Sequence, residues 1–309
     1  IRYGIYRPFC EEFLYFNRNL NNCVYQLPQL FPTAKSENKL ICVESPGGKK
    51  DFSCLITDKI PDLHIMAASQ CFPLYYYEQK KSQQGNLLDE EIRYERKYAI
   101  TDWILKNIRG RFGGTRAITK ETIFYFVYGI LHSPDYRARF NDDLKKSLPR
   151  LPIPDKIEDF MDFALAGEKL ATLHLNYEAA EPCPDVIVTG SESGNFHVDK
   201  MKFAGKRGDA DKSVIIYNSD ITISNIPLRA YEYVVNGRSA IEWIMESYRI
   251  KVDSASGIKN DPNAWAREHA KPRYILDLSL SIIGLSLKTL DIVEGLPKLE
   301  FEEEGGKED

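Results

Sequence analysis

The sequence has no initiating methionine, no basic leader ahead of an apolar core, and no run of 18 uninterrupted apolar residues. It therefore offers no secretory signal, and no span of the roughly 20 apolar residues that a bilayer requires. The most apolar stretch, YILDLSLSIIGLSLKTLDIV at 274–293, is interrupted by Asp277, Lys288 and Asp291 and reads as a buried helix. The opening IRYGIYRPFC already looks like the middle of a structured element, so the chain is expected to be a piece of a longer protein.

The usual marks of catalysis are also missing. There is no G-x-x-x-x-G-K-[ST] loop to cradle nucleotide phosphates, no H-E-x-x-H and no C-x-x-C. Histidines stand singly at 64, 132, 174, 197 and 269. Cysteines 10, 23, 42, 54, 71 and 183 form no close pairs, which suits reduced thiols and a cytoplasmic location. A zinc site from Cys42, Cys54, Cys71 and His64 would lack the close ligand pairs that such sites use. GRFGG at 110–114 lies between helical segments and reads as a hinge, not a dinucleotide fingerprint. Pro134-Asp135 with Asp143-Leu144-Lys145 superficially matches a PD…DxK nuclease. Metal sites of that kind need acids aimed at one cation from paired strands, and here Ser133-Pro134-Asp135 is a helix start. NDPN at 260–263 lacks the second proline and the aromatic of the N/D-P-P-Y/F motif of adenine N6-methyltransferases and reads as a turn.

What is present is an ordinary globular composition, 43% hydrophobic, with matter for two or three packed units. The net charge of −4 conceals an acidic tail at 300–309, whose six acids and one lysine contribute −5 and leave the body at +1. Residues 104–150 hold ten Lys or Arg against four acids, a local +6 that suits either a solvated face or a phosphate backbone.

Periodicity predicts an α+β fold: a β-rich part at 1–85, a helical part at 86–180, a mixed part at 181–299, and the tail. Strands are expected at LICVE, FSCLITD and QCFPLYYYE, and later at VIVTG, VDKMKFAG, SVIIYN and ITISNIP. A helix over 89–108 is predicted from Ile92, Tyr94, Tyr98, Trp103, Ile104 and Ile108. Thr119 is placed to cap a second helix, striped by Ile123, Val127 and Ile130, ahead of one starting at Ser133 and another at about 155–178. Ser239 and Glu242 form an S-x-x-E capping box for a helix over 239–250. Leu276, Leu280, Ile283, Leu287 and Leu290 stripe the last helix.

Four long stretches carry a resemblance: YRPFCEEFLYFNRNLN, FSCLITDKIPDLHIMAASQCFPLYYYE, YFVYGILHSPDYRARFNDDLKKSLPRLP and IPLRAYEYVVNGRSAIEWIMESYRIKVDSASGIKNDPN. In that order they resemble the C-terminal part of type ISP restriction–modification enzymes, large single-chain bacterial proteins often labelled predicted helicases. The resemblance covers nearly the whole chain. It implies a nuclease, a helicase-type ATPase, a coupler and an amino-methyltransferase upstream, with YRPF (Tyr6 to Phe9) closing the methyltransferase and the rest forming the target recognition domain. S-adenosylmethionine, ATP and Mg would then serve the parent chain, this piece would hold no cofactor, and it alone would show no ATPase, nuclease or methyltransferase activity.

On this reading the piece recognises double-stranded DNA and presents a target adenine to the upstream methyltransferase. Arg109, Arg111 and Arg116 surround flexible glycines and are expected on the DNA side. The segment 197–212 is expected to form a two-stranded ribbon, with Lys200 and Lys202 on one face, Met201 and Phe203 packed inward, and Lys206 and Arg207 at the tip. Arg249 and Lys251 at a helix end suit phosphate contacts, and Ser254, Ser256, Asn260 and Asn263 suit hydrogen bonds to DNA. The alternative function is a docking domain that holds methyltransferase and motor together and contacts DNA little.

Overall fold

The computed structural model describes residues 1–47, 50–80, 93–206 and 208–299. The first third is built from short strands: β1 (Arg2–Arg7), β2 (Cys10–Leu14), β3 (Leu40–Val43), β4 (Cys54–Thr57), β5 (Ile60–Pro61), β6 (Gln70–Pro73), β7 (Tyr75–Lys80) and β8 (Arg93–Tyr98). A single helical turn, α1 (Leu27–Leu30), interrupts them. β1 pairs antiparallel with β2 and parallel with β5, while β3 lies between antiparallel β4 and β6.

In the sheet β4-β3-β6, strands β3 and β4 are buried on both faces and β6 is the partly exposed edge. Leu40, Cys42 and Leu55 point into one core, and Ile41, Val43, Cys54 and Ile56 into another, as the two-residue period of a strand requires. A strand buried on both sides must be apolar throughout, which is why LICV and CLIT carry no charge. Cys42 and Cys71 face each other across this sheet, Sγ to Sγ 3.2 Å, as free thiols.

One sequence expectation fails here. Residues 93–98 are not helical but form β8, which pairs antiparallel with β7 from Tyr75↔Tyr98 to Lys80↔Arg93. RYERKY alternates as a half-exposed strand does, and its aromatic spacing only imitated a helical stripe. The helix begins at Thr101, whose hydroxyl caps α2 (Asp102–Arg111) by accepting from Ile104 N. Residues 81–92, including the expected helix start, lie outside the described residues.

The helices α3 (Lys120–Ile130), α4 (Pro134–Arg139), α5 (Asn141–Leu144) and α6 (Ile157–Leu175) follow. Thr119 caps α3 in a reciprocal box with Thr122, and Ser133 caps α4 with Pro134 in the first turn. α3 and α6 cross closely at Gly129 and Gly167, and Phe126 stacks on Phe160 with centroids 4.3 Å apart.

The last part holds an antiparallel sheet in the order β10-β11-β12-β9, made of β9 (Ile187–Thr189), β10 (Lys202–Lys206), β11 (Asp209–Ile216) and β12 (Thr222–Ser224). Two short ladders, β13 (Val234–Val235) with β14 (Arg238–Ser239) and β15 (Lys251–Val252) with β16 (Lys259–Asn260), bracket α7 (Ala240–Ser247). α8 (Asn263–Glu268) and α9 (Tyr274–Glu294) close the chain. α9 is buried over more of its surface than the expected stripe. Ile275, Leu278, Ile282 and Leu285 are as deep as Leu276 and Ile283, because elements of the first core surround it. Among the described residues no helix is long and apolar enough to cross a membrane. The fold is α+β.

Candidate nucleic-acid interface

The Asn236-Gly237 pair, at φ 49° and 75°, makes a two-residue hairpin loop between Val235 and Arg238. Arg238 leaves this turn with its guanidinium over the Trp243 ring, 5.4 Å from the centroid. Two residues of the next strand and the capping box of Ser239 with Glu242 then launch α7.

The last turn of α7 carries Glu246, which gathers three cations. Arg249 donates to it at 2.8 Å and Lys251 at 3.0 Å, and Arg238 lies 4.0 Å away. Burial alone would raise the Glu246 carboxyl, but Lys251, Arg249 and Arg238 outweigh it and hold it below the ordinary range. Lys200 joins this group: with Arg238, Glu246, Arg249 and the apolar Met201 and Met245 it lines a cleft of about 360 Å³.

Two hairpins flank the cleft. In the first, β10 and β11 pair from Lys202↔Ile216 to Lys206↔Asp209. The expected alternation holds: Met201 is buried, Phe203 packs edge-on against Tyr231, and Lys200, Lys202 and Lys206 are exposed. Arg207 lies outside the described residues. The second hairpin is β15–β16, with Lys251 opposite Asn260 and both exposed. Its base is tied to the first by Ile250 N donating to Asp199 O at 2.8 Å.

Asn263 makes the other tie, and this corrects its assignment. It is buried, its Oδ1 accepts from Val198 N, and its Nδ2 donates to Val198 O and to Asp261. The carboxamide is spent inside the protein and is not available to DNA. Asn263→Ala should strand both backbone groups of Val198 and lower stability by about 1–3 kcal/mol. An unchanged urea midpoint would remove this role. Ser256 is similarly engaged, donating to Asp253 Oδ1, which also accepts the Ala255 and Ser256 amides. Ser254 and Asn260 remain exposed.

The end of α2 and the turn after it, residues 106–116, belong to the other core, through Ile108 and Phe112. Gly113 and Gly114, at φ 69° and 79°, end α2, with Gly114 N bonded to Arg109 O at 2.7 Å. Arg109 turns inward, its Nε donating to Ile118 O at 2.8 Å, and acts as a strut of the loop. Arg111 pairs with Asp155 at 2.5 Å on the surface. Arg116 is exposed and has no partner among the described residues. Of the three, Arg116 is therefore the freest to meet an anion. Sequence reasoning missed Arg238 and Glu246; the Asn-Gly turn ahead of Arg238 was the signal available for the first.

A family model for the Type ISP C-terminal specificity domain matches residues 1–278. The chain belongs to that family. The family read from its four long stretches is thereby established. No curated protein sequence matches the chain. The specificity domain superimposes on the ATP-dependent Type ISP restriction-modification enzyme LlaBIII bound to DNA, with TM-score 0.84 and 38% identity, over 97% of this chain and 18% of that one. A nuclease-deletion mutant of the Type ISP enzyme LlaGI, in complex with a DNA substrate mimic, gives 0.80 and 39% over 98% of this chain and 25% of that one. The DrdV–DNA complex gives 0.81 and 28%, over 97% and 29%. The specificity domain thus spans less than a third of each of these chains.

Proposed function

We propose that this specificity domain is the DNA target-recognition module of a single-chain ATP-dependent restriction–modification enzyme. The observation that carries it is the gathering of Lys200, Arg238 and Arg249 in one cleft between two exposed hairpins. A two-stranded ribbon fits the major groove, where Lys and Arg donate to guanine O6 and N7. Lys202 and Lys206 on β10, with Arg207 next in the sequence, are the proposed base readers, Lys251 and Asn260 contribute from the second ribbon, and Arg111 and Arg116 add backbone contacts. The relatives solved with DNA support this assignment.

The same reading makes target-adenine presentation to an upstream methyltransferase the purpose of recognition, and makes this chain by itself non-catalytic. S-adenosylmethionine, ATP and Mg would serve the other domains of such an enzyme.

Duplex binding measured across salt concentrations tests the proposal. With about five phosphate contacts, log K should fall against log salt with a slope of roughly −4 to −5. A duplex enriched from a random pool should bind at least about 1000-fold more tightly than a scrambled one. Affinity indifferent to both salt and sequence would remove the recognition role.

A docking role is favoured by a different observation. Tyr3 and Phe13 are each 51% exposed on the β1–β2 hairpin, with ring centroids 5.0 Å apart. Exposed apolar groups clustered in this way mark a surface that another domain covers. We propose the upstream methyltransferase as that domain, so both roles can reside in one module.

A further inference from the structure

Resting on the recognition reading above, we propose that the cleft beside α7 is a socket for one backbone phosphate, held by Arg238, Arg249 and Lys200 and kept in shape by Glu246. In this assignment the socket anchors any duplex, whatever its sequence, and leaves base reading to the ribbons.

The charge balance favours an anion. Glu246 faces Arg238, Arg249 and Lys251, so one carboxylate meets three cations, and Lys200 adds a fourth positive group at the cleft wall. Glu242 also lines the cleft, but Lys212 pairs with it at 3.1 Å. The local excess is positive even with every ion pair formed. Arg249 also has an unused donor: its Nε is buried and has no hydrogen-bond partner among the described residues. An oxygen seated in the cleft would supply that acceptor. Buried donors are nearly always satisfied, so one left over beside a cavity marks a place for a ligand atom.

The two guanidiniums are held before any ligand arrives. Arg249 is fixed by its bond to Glu246. Arg238 is fixed between the Trp243 face and the same carboxylate, yet half of its side chain stays open to solvent. A planar guanidinium fixed in advance loses little freedom on meeting a phosphate. Met201, Phe203 and Met245 supply an apolar lining, which weakens local screening of the charges.

Glu246 is therefore a positioning residue. It repels the phosphate weakly but sets the cations that bind it. It also holds the second hairpin at the cleft, because Lys251 begins that hairpin and donates to it at 3.0 Å. The geometry has room for a phosphodiester or for free phosphate, and the experiment separates these sources.

The test uses the 309-residue chain, a duplex enriched from a random pool, a scrambled duplex of equal length, and inorganic phosphate. Arg238→Ala and Arg249→Ala should each weaken both duplexes by the same factor, about tenfold, and each should reduce the salt slope by about 0.9. Methylphosphonate replacement, one phosphate at a time, should reveal one position where the wild type loses affinity and Arg249→Ala loses nothing further. Glu246→Gln should abolish that position-specific coupling, and Glu246→Asp should restore it. Arg249→Lys, with an unchanged thermal midpoint, guards against a folding defect by keeping part of the effect.

A loss confined to the enriched duplex would make these residues base readers and overturn the socket. So would full duplex binding by both arginine variants, or inorganic phosphate binding that depends on Arg249 while duplex binding does not. In these cases the recognition reading stands. A wild-type chain that binds neither duplex removes both.

Discussion

Gly167→Ala is expected to destabilise the protein by about 3 kcal/mol or more, a fall of roughly 5–10 °C in melting temperature. A Cβ at Gly167 would lie 1.9 Å from Tyr125 O and 2.7 Å from Gly129 N, and one at Gly129 would lie 2.1 Å from Phe163 O. Each obstacle is the backbone of the opposing helix, so nothing can rotate aside and α3 and α6 must separate. Separation would loosen the Phe126–Phe160 stack and the edge-on contact of Phe126 with Phe163. Helix propensity acts the other way, since alanine is better than glycine by about 1 kcal/mol in a helix interior. The clash wins because overpacking against backbone costs more than propensity returns. Gly110, in α2, is the control: a Cβ there meets nothing within 4 Å, and Gly110→Ala should be neutral or stabilising. If urea unfolding placed Gly167→Ala beside Gly110→Ala, the close crossing would not be a constraint.

Acidification should produce a second large effect, through two buried histidines. His174 Nδ1 lies 2.6 Å from the Tyr128 hydroxyl and its Nε2 lies 2.9 Å from the Thr289 hydroxyl. With Tyr128 donating to Nδ1, the ring is neutral and donates from Nε2 to Thr289. His132 donates from Nδ1 to Tyr128 O at 2.8 Å, also neutral. Burial pushes His174 down to about 3 from the ordinary 6.5. Burial, then Arg137 and His174, pushes His132 down in the same direction.

Between pH 6.5 and about 3 the unfolded chain therefore binds a proton at His174 that the native state refuses, and stability falls as pH falls. The slope is about 1.4 kcal/mol per pH unit per histidine, so His174 alone costs about 2.7 kcal/mol by pH 4.5, and His132 adds to it. Urea titrations at pH 7.0, 6.0 and 5.0 measure the slope directly. In His174→Gln the slope should drop by about 0.7 kcal/mol per unit between pH 7.0 and 6.0 and by about 1.2 between pH 6.0 and 5.0, even though the variant starts from lower stability. An undiminished slope would place the acid sensitivity on carboxylates instead.

Much of the local architecture was legible because its causes are local. Thr119, Ser133 and Ser239 cap their helices within three residues, and no distant contact is needed to choose those starts. The alternation of Met201, Lys202 and Phe203 announced a ribbon with an inner and an outer face. The strand at 93–98 was misread because RYERKY carries a pattern that suits either period, and its pairing with β7 decides between them.

The interface was only partly legible. A lysine or arginine in a loop looks the same in sequence whether it is exposed or spent. Arg109 is turned onto Ile118 O, Asn263 is locked to Val198, and Arg116 is free, although all three looked equally available. Glu246 could not be recognised as an organising group, because Arg238 and Lys200 reach its cleft from other segments.

By itself the sequence determined the α+β class, the helix starts at Thr119, Ser133 and Ser239, the two-faced ribbon and the family, since these follow from periodicity, capping and motif order within short windows. The tertiary structure alone decided that β3 divides its residues between two cores, that α3 and α6 cross glycine to glycine, and that one carboxylate collects cations from separate hairpins. Burial, close backbone approach and net local charge are properties of residues far apart in sequence. They do not exist until the chain has closed upon itself.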